Sequence, residues 1–228
     1  AVYVIKGSPY GQRAWFARYT ESGGWESLNH RIPFEECSYS KQNYPRNGST
    51  LVWDEENYIY FFPGSSYSHP DQSDWYRYSI DGDSWEYMGK LPHWNGPGNS
   101  AVLVEEDGER YIYAMIGMYH FGEPYYGGYN LYGDTENYNG TVFCSYSLDS
   151  ETWRVIDNCG PGSDHIYGAD DASSLVWDGG DYIYHTPGAY EETVTDSEKF
   201  NQKRKFMRYS IYSGQWEELN ETFFSEYG

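Results

Sequence analysis

The sequence predicts an all-β protein, a four-bladed β-propeller of antiparallel four-stranded blades with nearly no helix. Three observations predict it. A Tyr precedes a Trp by six or seven positions four times, at Tyr19/Trp25, Tyr78/Trp85, Tyr146/Trp153 and Tyr209/Trp216. A recurrence of this kind marks a repeat architecture. The residues between each pair, "ESGG", "DGDS", "DSET" and "YSGQ", are hairpin formers: Gly supplies positive φ, and Asp and Ser bond their own backbone. No segment holds a sustained 3.6-residue apolar period, so helices are not expected.

The elements follow in order within each unit. Strand a is apolar: "STLVWD" at 49–54, "SAVLVE" at 100–105 and "SSLVWD" at 173–178. Acidic turns, "DEEN", "EEDGE" and "DGGD", lead into strand b. Strand b ends in Gly at Tyr3–Gly7, Tyr60–Gly64, Tyr113–Gly117 and Tyr184–Gly188. A variable loop precedes strand c, then a tight turn, then strand d with its Trp. The blades are expected at about 1–29, 49–90, 99–157 and 172–220, within one domain spanning 1–228. Blade 1 opens directly on strand b. Residues 221–228 are candidates for its first strand, and a neighbouring molecule is the alternative. A four-stranded antiparallel unit repeated around an axis is a propeller blade.

The order "LVWD…YIY…G…RYS…W" resembles the kelch repeat, whose units run to about 50 residues. The resemblance covers essentially the whole chain and implies a kelch-like propeller. Kelch carries Gly-Gly after strand b; here one Gly stands. Kelch-like propellers also usually have more blades.

Twenty per cent of the residues are aromatic, and 27 are Tyr, so the core must be built largely from rings. Tyr and Trp suit half-buried sheet surfaces because each has an apolar body and a polar end. The formal charge of −20 argues against nucleic acid and anionic membranes as partners. No apolar run approaches the roughly 20 residues of a membrane span. The chain starts in strand-like alternation without Met. A processed, exported protein has this form, and so does a trimmed chain. Three sequons, at Asn47, Asn139 and Asn220, favour a secreted glycoprotein.

Of three cysteines, Cys144 is in strand c of the third repeat and Cys159 just past strand d. Folding the hairpin about Ser150 brings residue 156 or so opposite Cys144, and a slight return of the loop puts Cys159 in reach. A Cys144–Cys159 disulfide is therefore expected, with Cys37 left over. No Cys/His spacing suits zinc, and neither metal nor cofactor is expected.

Alternation places the b–c and d–a loops on one face, and there the chain is elaborated. Loops on a rigid scaffold concentrate function. Tyr119, His120, Tyr125, Tyr126, Tyr129, His165 and Tyr167 fall on this face as candidates for contact with a glycan or partner. No His sits at triad or ligand spacing, so no catalytic residue is assigned. One basic island, Lys199, Lys203, Arg204 and Lys205, opposes the acidic turns of the other face, such as Asp54, Asp81 and Glu105. Unlike charges on opposite faces suit a heterologous contact between copies. The expected function is a non-catalytic extracellular structural or adhesive subunit that self-associates. A glycan-binding propeller is the alternative, and a carbohydrate-active enzyme such as a polysaccharide lyase a further one.

Overall fold

A computed structural model describes residues 1–6, 15–28, 48–64, 73–93, 95–96, 98–118, 140–159, 173–186 and 206–219. Among these residues every regular element is a strand. Blade 1 contains β1 (Val2–Lys6), β2 (Trp15–Thr20) and β3 (Gly24–Ser27). Blade 2 contains β4 (Thr50–Trp53), β5 (Tyr58–Phe62), β6 (Asp74–Ser79) and β7 (Ser84–Lys90). Blade 3 contains β8 (Ser100–Glu106), β9 (Glu109–Met118), β10 (Gly140–Ser147) and β11 (Thr152–Cys159). Blade 4 contains β12 (Ser174–Trp177), β13 (Tyr182–Thr186), β14 (Phe206–Ser210) and β15 (Gln215–Leu219). Each sheet is an antiparallel meander in chain order, the up-and-down pattern of a propeller blade. The first strands of blades 2 to 4 pack together, with β8 between β4 and β12. Blade 1 has three strands among the described residues; the candidate closing segment 221–228 lies outside them.

The register explains the repeated Tyr and Trp. In all four blades the two stand directly opposite each other: Tyr19 and Trp25, Tyr78 and Trp85, Tyr146 and Trp153, Tyr209 and Trp216. Their ring centroids are 5.2, 5.3, 5.0 and 5.3 Å apart. Cross-strand aromatic pairs of this kind stabilise a sheet and fix its register. The shorter spacing in blade 1 is absorbed by its turn, where Thr20 pairs with Gly24 while Ser79 pairs with Ser84. The hydroxyl after each Tyr closes the turn by accepting an N–H three residues on: Thr20 from Gly23, Ser79 from Gly82, Ser147 from Ser150 and Ser210 from Ser213. One residue per turn takes positive φ, filled by Gly24, Asp83, Glu151 and Gly214.

The acidic a–b turns have an equally local cause. The carboxylate of Asp54 accepts the N–H groups of Glu56 and Tyr58, both at 2.9 Å. Asp178 does the same for Gly180 at 2.8 Å and Tyr182 at 3.2 Å. Trp53 and Trp177 donate their indole N–H to the carbonyls of Glu56 and Gly180 across the same turns. The "WD" of strand a is thus a turn clamp. The Arg before the repeated Tyr makes a cross-strand ion pair with the residue after the repeated Trp: Arg18 with Glu26, Arg77 with Glu86 and Arg208 with Glu217.

Packing between blades also repeats. Three positions before each Tyr of strand c stands another ring: Phe16, Trp75, Phe143 and Phe206. The first three insert into the Tyr/Trp pair of the following blade. Phe16 lies 5.0 Å from Tyr78 and 5.1 Å from Trp85. Trp75 lies 4.7 Å from Tyr146 and 5.0 Å from Trp153. Phe143 lies 4.9 Å from Tyr209 and 4.8 Å from Trp216. The edge-on and tilted geometries suit the ring quadrupoles. These contacts are the centres of three core clusters, joining blades 1 and 2, 2 and 3, and 3 and 4.

The expected Cys144–Cys159 disulfide is corrected by the register. Cys144 is a buried thiol whose Sγ lies 3.6 Å from the carbonyl oxygen of Ala114. It stands opposite Val155, after a bulge at Phe143/Cys144, whereas Cys159 stands opposite Thr141. Strand β11 continues straight to Cys159 rather than turning back. Three residues of strand separate the two positions, roughly 10 Å at 3.3 Å per residue, and a disulfide needs Cα atoms within about 7 Å.

Candidate functional site

The d–a segments deliver the chain to the starts of β4, β8 and β12, where the three inner strands converge. They enclose a pit of ≈ 240 Å³ lined by residues including Ser49, Thr50, Asn99, Ser100, Ser173 and Ser174. It lies at the end of the sheets where the first strands of blades 2 to 4 begin. The matching Ser49, Ser100 and Ser173 come from the same step of the repeat, immediately before or at the start of strand a. Ser49 donates to the carbonyl of Pro63, and Ser173 to the carbonyl of Gly98 and the hydroxyl of Ser100. Asn99 accepts the N–H groups of Gly96 and Gly117, both at 3.0 Å, and donates to Asn95, which donates to the carbonyl of Asp74. The polar lining is therefore largely engaged in holding the blades together. Its described residues are neutral, suited to hydrogen-bonding water or a small polyol, and offer no proton-transferring group. The volume is below the roughly 300–1,000 Å³ of typical small-molecule sites.

Four core tyrosines and one buried histidine are held neutral. Burial pushes the hydroxyls of Tyr60, Tyr113, Tyr146 and Tyr209 up, so they remain protonated at neutral pH. His185, on β13, is fully buried, with Nδ1 3.3 Å from the carbonyl oxygen of Ser174 and its ring beside Trp216. Burial lowers its pKa from 6.5 to about 4. His185 was not singled out from the sequence. The signal was available: its repeat equivalents by register are Val4, Phe61 and Ala114, an apolar column. Among the described residues no group of His, Cys, Asp and Glu side chains could hold a metal ion.

A second candidate is the pair of end faces. In three blades the Tyr of the aromatic pair is nearly closed to solvent, with Tyr78, Tyr146 and Tyr209 at 0%, 2% and 5% exposure, and its Trp partner is half-buried. In blade 1 Tyr19 is 37% and Trp25 58% exposed, and Val2 on the same face is exposed as well. The opposite end is partly open, with Tyr184, Phe206 and Arg208 half-buried. Val176, Tyr184, Phe206 and Arg208 share one face of blade 4 through the pairings of Val176 with Tyr184 and Tyr184 with Arg208. Val176 is exposed there, whereas Val52, its counterpart in blade 2, is buried. Among the described residues no core cluster joins blade 4 to blade 1.

The sequence-derived glycosylation sites Asn47, Asn139 and Asn220 lie outside the described residues. So do the loop candidates Tyr119, His120, Tyr125, Tyr126, Tyr129, His165 and Tyr167, and the basic island Lys199, Lys203, Arg204 and Lys205.

No family model matches the chain, and neither does any curated protein. Solved structures align over part of their length. One, described as the structure of YjhT, aligns with a TM-score of 0.43 and 16% identity over 79% of this chain and 53% of its own. Another, an oligogalacturonate lyase in complex with manganese, aligns with a TM-score of 0.41 and 11% identity over 90% of this chain and 41% of its own. This chain thus spans about half the length of the first and two fifths of the second. The blade assignment rests on the sheet order and register of the chain itself.

Proposed function

We propose that this chain is a structural or adhesive subunit that acts by self-association rather than by catalysis, exported to the cell surface or beyond and glycosylated. The exposed Tyr19/Trp25 face of blade 1 carries the proposal. It is an aromatic surface whose three equivalents in the same molecule are each covered by another blade. Exposed apolar surface built on a rigid sheet marks an interaction site. The net charge of −20 opposes association at low ionic strength, so salt should strengthen it. Light scattering over a range of concentration and salt tests the reading. The expected result is a mass that rises from 26.5 kDa with concentration, and rises further in salt. A constant monomer mass at high concentration and high salt would overturn it.

A glycan-binding role is the second reading, favoured by the hydroxyl-lined pit. A monomer retained on an immobilised glycan, with retention lost in Ser100→Val, would support it over self-association.

A further inference from the structure

We infer that copies of this chain join head to tail, with Phe206 of one copy seated between Tyr19 and Trp25 of the next. The inference rests on the self-association reading and specifies the surfaces that meet. It is carried by the interface that the chain builds three times internally. In each case one ring three positions before the strand-c Tyr enters the Tyr/Trp pair of the following blade. Phe206 is the fourth ring of that series, and Tyr19/Trp25 is the fourth pair.

Among the described residues neither of these fourth members meets its counterpart. Phe206 stacks on Tyr184 of its own blade at 5.6 Å. Trp25 contacts Tyr19 and Trp15 of its own blade, at 5.2 and 5.9 Å, and remains mostly exposed. On the blade 1 face Tyr19, Trp25 and Val2 are exposed, and on the blade 4 face Val176 is exposed while Phe206 is half-buried. A second copy presents the matching face, whose contact the chain already builds three times between its own blades.

Charge supports the same pairing. Arg77 of blade 2 reaches past its own Glu86 to Glu151, in the c–d turn of blade 3, at 2.7 Å from each. Arg208 occupies the same register position in blade 4, pairs with its own Glu217 and lies over the Tyr182 ring at 4.2 Å. The c–d turn of blade 1, which an incoming blade 4 would meet, carries the exposed Glu21. An Arg at the rim of an aromatic contact and a carboxylate in the facing turn are the complement already used between blades 2 and 3. Because the two surfaces differ, the contact is heterologous, and repetition produces a closed ring of molecules or a filament.

The test uses two full-length variants, Phe206→Asp and Trp25→Asp, by sedimentation velocity, with circular dichroism confirming the fold of each. Phe206→Ala and Trp25→Ala serve in place of any variant that fails to fold. The wild type is expected to form species larger than a dimer. Each variant alone should be monomeric. An equimolar mixture should form dimers and nothing larger, because one partner keeps an intact blade 1 face and the other an intact blade 4 face. Variants that assemble as the wild type does would overturn the head-to-tail contact while leaving self-association in place. A mixture that stays monomeric would also overturn it. A wild type that is monomeric throughout would remove both readings.

Discussion

Replacing Phe143 with Ala should cost about 3–5 kcal/mol of folding stability. Phe143 is fully buried, at the centre of the contact between blades 3 and 4. Its ring centroid lies 4.8 Å from Trp216, 4.9 Å from Tyr209 and 5.8 Å from Tyr113. A buried aromatic removes about 150–250 Å² from water. At about 25 cal/mol per Å² that is roughly 4–6 kcal/mol, an upper bound because the unfolded chain already covers part of this surface. β10 is held between β9 and β11, so the surroundings cannot collapse into the space, and a cavity remains. For a chain of this size each kcal/mol lowers Tm by about 2–4 °C, giving a fall of roughly 6–20 °C. Urea unfolding followed by Trp fluorescence measures the free energy directly. Phe206→Ala, at the same repeat position, is the control. In dilute solution, with no partner copy bound, it should cost less than about 1 kcal/mol. A loss below about 1 kcal/mol for Phe143→Ala, or equal losses for the two, would refute the account of blade packing.

Three further outcomes are expected. The His185 imidazole is held neutral when folded, with its pKa lowered from 6.5 to about 4. The unfolded chain takes up the proton first, so stability is complete above pH 6.5 and falls as pH drops towards 4. The loss is about 3 kcal/mol over that window, at about 1.4 kcal/mol per pH unit. His185→Phe, which copies the Phe61 of blade 2, should flatten this part of a stability–pH curve; an unchanged slope would show that His185 is not its source. A double-mutant cycle on Arg77→Met and Glu151→Gln should return a coupling of about 0.5–1 kcal/mol that shrinks in 1 M salt; zero coupling at low salt would show that this ion pair does not join blades 2 and 3. Gly96→Ala places a Cβ 2.1 Å from the carbonyl carbon and oxygen of Gly117, and thermal melting should register a loss of at least about 1–3 kcal/mol; an unaffected melt would show that the loop does not approach β9 this closely.

The fold was legible because its signals are local and repeated. A Tyr and a Trp six or seven positions apart, separated by turn residues, fix a hairpin and its register with no help from the rest of the chain. The cysteine pairing was not legible, since it turned on a one-residue bulge at Phe143/Cys144 and on how far β11 runs before leaving the sheet. Neither follows from hairpin chemistry alone. The local role of the acidic turns was not legible as such: Asp54 and Asp178 accept N–H groups of their own turns. Phe16, Trp75, Phe143 and Phe206 form a column as regular as the Tyr/Trp landmarks. It becomes meaningful only once the blades are set side by side, because Phe16, Trp75 and Phe143 each contact the next repeat. His185 was overlooked for a related reason: its burial is a property of the apolar column it occupies, and a lone His carries no mark of that.

Each blade packs on the next around one inserted ring, backed by contacts such as Arg77–Glu151 and Ser173–Gly98, so the described contacts run from blade to blade as in a one-dimensional array. Among the described residues blades 2 and 3 are each clasped on both sides, whereas blade 1 has the Phe16 contact and blade 4 the Phe143 contact. In such an array stability is a sum of unit and nearest-neighbour terms, and order is lost from the ends inward. Amide protons of β5, β6, β9 and β10 should accordingly exchange most slowly, with β1 to β3 and β12 to β15 opening first as separate cooperative units. Addition of a further copy at an end would turn a terminal blade into an internal one, so protection of β1 to β3 against exchange becomes a direct measure of the length of the array.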